Sequence, residues 1–130
     1  MSNTRTCYTA ILCCDCPQPS LRDAGRDIIA HLGRRFGGAT LTACNGTWAE
    51  DGNDTKTAYA GVHIENGVKI GLTVPESDRE DGYQELTQAI SEAVARHELP
   101  ARFVHVDCTQ VRAMHFEVGA GQSFVATNAV

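Results

Sequence analysis

Apolar residues fall in short β-branched runs over much of the chain, and twice they give way to longer stretches at helical spacing. Thr6 to Cys14 reads as a strand of β-branched, aromatic and apolar residues, closed by Pro17 and Pro19. Ser20-Leu21-Arg22-Asp23 has the Ser-x-x-acid form of a helix N-cap. Leu21, Ile28, Leu32 and Phe36 follow at helical spacing, with Arg22, Arg26, Arg34 and Arg35 on other faces. Gly37-Gly38 supplies a C-cap, so the pattern predicts a first helix from Ser20 to Arg35.

Ala39 to Trp48 is a second strand, and Glu50-Asp51-Gly52-Asn53-Asp54 is polar turn chemistry. Thr57 to Ile64 and Val68 to Val74 are extended runs on either side of Asn66-Gly67, the strongest short hairpin signal a sequence offers. The pattern predicts a tight hairpin there; the alternative is one strand with an irregular kink. Pro75 stops the sheet, and Ser77-Asp78-Arg79-Glu80 has the form of a capping box. Tyr83, Leu86, Ile90, Val94 and His97 form the apolar stripe of a second helix that ends near Leu99-Pro100. Arg102 to Cys108 and Val111 to Val118 read as strands, and Gly119 to Val130 as a loosely held tail.

The order strand, helix, strand, strand, helix, strand predicts an α+β, ferredoxin-like sandwich. Its antiparallel sheet carries both helices on one face, with extra strands at the hairpin and the C-terminus. Residues 1–130 are expected to form one domain. The second sheet face is left uncovered, and such a face is either solvated and polar or buried by a partner subunit. Oligomerisation through the sheet is therefore a structural expectation.

Composition narrows the function. Eleven basic residues against sixteen acidic ones give a net charge of −5, which counts against a large nucleic-acid-binding surface. No apolar run approaches the ~20 residues of a membrane-spanning helix. The N-terminal apolar stretch, Tyr8 to Cys14, is too interrupted for a signal peptide, so a cytoplasmic location is expected. Six cysteines in 130 residues are too sparse for a disulfide scaffold and read as small core hydrophobes. Cys13-Cys14-Asp15-Cys16 lacks the spacing of a zinc knuckle, and no matching pair follows. His63, His105 and His115 could gather on a sheet, but no spacing enforces it; sheet or interface histidines are the simpler reading. No metal or cofactor is expected.

Serine-nucleophile, phosphate-loop and dinucleotide motifs are absent. The informative stretch runs from Trp48 to Val74, where one tryptophan, Tyr59 and several carboxylates surround a polar loop. Aromatic faces beside a carboxylate suit a flat heterocycle carrying positive charge or hydroxyls. Glu65 is the sharpest candidate, between two β runs, and the competing reading makes it a solvated hairpin carboxylate.

Glu65-Asn66-Gly67-Val68-Lys69-Ile70, a glutamate followed by a Val-basic-aliphatic strand, resembles the active-site glutamate strand of phage S-adenosylmethionine lyases. The helix Gln84 to Arg96 and the strand Phe103-Val104-His105-Val106 follow in the same order. Phe36-Gly37-Gly38-Ala39-Thr40 before a strand and Gly46-Thr47-Trp48 within it are similar to small phage and bacterial proteins of PII-like fold. The resemblance covers roughly Phe36 to Val106.

It implies a homotrimer of ferredoxin-like subunits with clefts between them for an adenosyl ligand, in the host cytoplasm if the chain is phage-encoded. The implied reaction splits S-adenosylmethionine into methylthioadenosine and homoserine lactone without metal or cofactor. Glu65 and Tyr59 would be catalytic, and Trp48 and Asp54 ligand-binding. The lyases carry their tyrosine farther upstream than Tyr59, and Asp54 stands at that spacing. The alternative is a non-catalytic PII-like trimer that binds or sequesters a nucleotide-type small molecule.

Overall fold

The structure, a computed structural model, describes residues 3–119. Four strands and two long helices follow in the order β1 (Thr4–Cys14), α1 (Gln18–Phe36), β2 (Thr40–Ala49), β3 (Val62–Pro75), α2 (Arg79–Arg96) and β4 (His105–Arg112). A 3₁₀ turn, Glu76–Asp78, leads into α2. The sheet order is β2-β3-β1-β4, and every neighbouring pair is antiparallel. This is the ferredoxin-like α+β sandwich that the element order implies.

Side-chain alternation divides the sheet. Tyr8, Ala10, Leu12 and Cys14 of β1 and Val68, Ile70, Leu72 and Val74 of β3 are buried. They meet Leu21, Ala24, Ile28 and Leu32 of α1 and Leu86, Ala89, Ile90 and Ala93 of α2 in one apolar cluster. Burying a Leu or Ile side chain stabilises by roughly 1.5–3 kcal/mol, so these two stripes hold the helices on the sheet. The Tyr8 hydroxyl donates to the Arg79 carbonyl at 2.6 Å and Thr6 Oγ1 donates to Glu76 Oε1 at 2.7 Å, tying the entry of α2 to β1. Between the helices, Asp27 meets His97 Nε2 at 2.6 Å and Arg96 at 3.1 Å, and these bonds hold its carboxyl below the usual range.

Three expectations are corrected at the level of elements. The Asn66-Gly67 hairpin does not form, because β3 runs unbroken through it from Val62 to Pro75. A tight turn of that kind requires positive φ at both residues, and neither has it. Their side-chain positions serve the sheet instead. Asn66 Nδ2 donates to the Cys16 carbonyl at 3.0 Å, and Asn45 Nδ2 donates to Asn66 Oδ1 at 3.2 Å.

The extra C-terminal strand, expected over Val111 to Val118, is also absent. β4 closes at Arg112, and 113–119 carry no strand. The expected tail lies, apart from Gly119, outside the described residues. Neither predicted N-cap engages its side chain: α1 starts at Gln18 behind Pro17, and α2 at Arg79 behind Asp78. Gly37 does close α1, with φ of 94° and its N–H on the Gly33 carbonyl.

Candidate functional site

The face of the sheet opposite the helices carries the odd-numbered residues of β1 and β3 and their ladder partners. Glu65 stands opposite Gly46 of β2, and Gly67 lies between Cys13 of β1 and Cys44 of β2. A Cβ on Gly67 would collide with Cys13 Sγ and stand 3.2 Å from Cys44 Sγ. Cys13 Sγ also lies 2.6 Å from where a Gly46 Cβ would be. The two thiols thus close over the bare backbone of β3 and form a low, weakly polar floor.

Above that floor runs a cleft of about 890 Å³. Ile11, Cys13, Cys44 and Gly46 pave it. Trp48, Glu50 and Asn53 rise on the β2 side, and Pro100 to His105, ahead of β4, form the other wall. Glu65 and Lys69 enter from β3. Glu65 is half-buried, while Trp48 and Phe103 remain 44% and 59% exposed at the rims. The Arg102 guanidinium lies 5.3 Å from the centroid of the Phe103 ring.

Charge is distributed unevenly along this trough. Burial pushes the Cys13 thiol up to about 11, with Cys44 and Glu65 adding to the effect, so this thiol is neutral at pH 7. Cys13 therefore offers no thiolate nucleophile. Cys14 faces the core, and burial with its neighbour Cys16 pushes it up to about 12; the two sulfurs are 3.0 Å apart. The charged groups of the cleft are therefore Glu65 and Glu50 against Lys69 and Arg102.

The chain matches no protein-family model and no curated protein. Solved structures do match. Phage SAM lyase in its apo state aligns over 90% of this chain and 96% of its own, at 16% identity and a TM-score of 0.52. The same lyase in complex with S-methyl-5'-thioadenosine aligns over 90% and 95%, again at 16% and 0.52. The fold is that of the phage SAM lyase. More distant matches include the PII-like proteins B. subtilis GlnK, at 11% identity over 90% of this chain and 94% of that one with a TM-score of 0.40, and CutA from Xylella fastidiosa, at 13% over 93% and 88% with 0.42.

Within this lyase-like fold the four residues singled out in the sequence separate into two places. Glu65 and Trp48 share the cleft. Tyr59 and Asp54 lie together in the loop between β2 and β3 and do not line it. The Tyr59 hydroxyl donates to the Asp54 carbonyl at 2.7 Å and accepts the Lys56 N–H at 3.0 Å. A 2.6 Å ion pair from Lys56 to Asp51 braces the same loop.

The histidines do not form the three-imidazole group considered from the sequence. His63 Nε2 is 3.4 Å from Glu50, and His105 Nε2 is 2.8 Å from Asp107, on strands that flank β1 on opposite sides. Among the described residues no group of three or more His, Cys, Asp or Glu could hold a metal ion.

Sequence reasoning missed Lys69, Arg102 and the thiol floor as cleft residues. The signal for Lys69 was present: with β3 unbroken, residues 65, 67 and 69 share one face by the period of two. The hairpin reading cut that period. Arg102 and Phe103 lie outside the strands, and no periodicity places them.

Proposed function

We propose that the chain is a SAM lyase-like enzyme that cleaves S-adenosylmethionine into methylthioadenosine and homoserine lactone at clefts completed by neighbouring subunits of a homotrimer. The observation that carries this reading is the half-buried Glu65 carboxylate in a cleft rimmed by Trp48, on the fold of a phage SAM lyase. The chemistry asks little of the protein. The substrate's own carboxylate oxygen bonds to its γ-carbon while the bond from that carbon to sulfur breaks. The electron pair stays on sulfur, which leaves as a neutral thioether, and no proton or water is consumed.

The cleft must fold the methionine tail into a near-attack conformer and exclude water. The Glu65 carboxylate would draw in the sulfonium or accept the ribose hydroxyls, more strongly there than in bulk water. The Trp48 face suits the adenine ring. Tyr59 would join the site by exchanging its bonds within the loop for one to the ligand, with Asp54 beside it.

That commitment of the Tyr59 hydroxyl to its own loop favours a second reading, a non-catalytic PII-like trimer that binds or sequesters a nucleotide-type molecule. Incubation with S-adenosylmethionine and chromatography for methylthioadenosine separates the two. Turnover that falls at least a hundredfold in Glu65→Gln, with mass and circular dichroism unchanged, supports the enzyme. Binding without product supports the module. Neither binding nor product defeats both.

A further inference from the structure

Lys69 is the feature of the cleft that the functional reading does not use. The chain has two lysines. Lys56 is held by Asp51 at 2.6 Å, whereas Lys69, among the described residues, makes no ion pair although it borders the cleft. Glu65, which also borders the cleft, likewise makes no ion pair among the described residues. The two lie four residues apart on one strand face, so their Cα atoms are about 13 Å apart, and between them stands only Gly67. The strand face thus carries a negative charge at Glu65 and a positive charge at Lys69, while the cleft's other cation, Arg102, lies against the Phe103 ring on the far wall. Cys13 and Cys44, the ladder partners of Gly67, flank the gap.

From this juxtaposition we infer that the cleft selects a dipolar ligand, and that Lys69 is a specificity-determining residue receiving the carboxylate of an α-amino-acid tail whose cationic end faces Glu65. The inference rests on the adenosyl reading above and names the part of the ligand that reading leaves open. A lysine and a glutamate side chain together span most of the 13 Å, which leaves a few ångströms for the ligand's own charge separation. That suits a folded aminobutyrate tail. Lys69 acts through position: an ammonium fixed near the carboxylate restricts its rotamers and turns one oxygen toward the chain it must close on. The same contact lowers the oxygen's nucleophilicity, so its main effect is on binding. The net charge of −5 works the other way, since it favours the more cationic decarboxylated analogue.

Titration calorimetry with S-adenosylmethionine and with decarboxylated S-adenosylmethionine tests this on the wild-type chain, Lys69→Met and Lys69→Arg. The wild type should prefer the carboxylated ligand by about tenfold or more, the scale of one charge-assisted hydrogen bond. Lys69→Met, which keeps the apolar stem, should lose that preference while holding the decarboxylated analogue within about threefold, and Lys69→Arg should keep most of it. Equal wild-type affinities for the two ligands, or an undiminished preference in Lys69→Met, overturn the inference and leave the adenosyl reading standing. Wild-type binding of neither ligand overturns both. The wild-type comparison needs no variant to fold.

Discussion

Cys13 and Cys14 are consecutive, yet β alternation puts one thiol on the floor of the cleft and the other in the core. Burial raises both, to about 11 and about 12, against an ordinary thiol near 9. The sign follows from linkage: the unfolded chain releases these protons first, so the stability they contribute is complete below pH 9 and is lost as pH rises from there through 11 to 12. Denaturant midpoints should therefore fall over that alkaline window, and by less in Cys13→Ala. An unchanged midpoint from pH 9 upward would refute this. In the folded protein near pH 8, iodoacetamide should label exposed Cys108 well before Cys13 or Cys14, as peptide mass spectrometry would resolve. None of this was legible residue by residue. The sequence reading took all six cysteines as core hydrophobes, and only the ladder register separates a core sulfur from a cleft sulfur.

At the scale of elements, the largest misreading and the most informative glycine coincide. Asn66-Gly67 has ideal turn chemistry, but its neighbours in space decide the matter: Cys13 and Cys44 occupy the room a side chain would need, and Asn66 bonds the chain entering α1. Local propensity yielded to tertiary packing. The helix faces and the core strands were legible because long apolar periodicity is robust to such local signals; strand ends and the helix N-caps were not. Gly67→Ala should destabilise by about 1–3 kcal/mol, since its Cβ meets Cys13 Sγ and also stands 3.0 Å from the Leu12 carbonyl oxygen, which cannot swing away. Gly38→Ala, with nothing within 4 Å, is the control and should change little. Adding Cys13→Ala to Gly67→Ala should recover part of the loss. Equal midpoints for Gly67→Ala and Gly38→Ala in urea would show that the floor is not packed as described.

At the scale of the whole molecule, both helices lie on one side of the sheet, and the other side ends in a cleft whose aromatic rims stay open. The element order made that bare face legible in advance, although it could not say which side chains would stand on it. Trp48 and Phe103 stay 44% and 59% exposed at the rims of this cleft, where a neighbouring copy would cover them in the proposed trimer. A stable contact between copies needs roughly 800 Å² from each partner. The homotrimer reading therefore predicts a light-scattering mass near three times 14.0 kDa at micromolar concentration. Trp48 is the only tryptophan in the chain, so its fluorescence reports the same event. On dilution its emission should move to the red in step with the loss of mass, because water reaches the indole as the neighbouring subunit leaves. Added S-adenosylmethionine should hold both signals at lower protein concentration, since a ligand bound between subunits stabilises their association. A constant mass near 14.0 kDa, with Trp48 emission indifferent to concentration, would place the whole site within one chain and remove the inter-subunit cleft from the proposed mechanism.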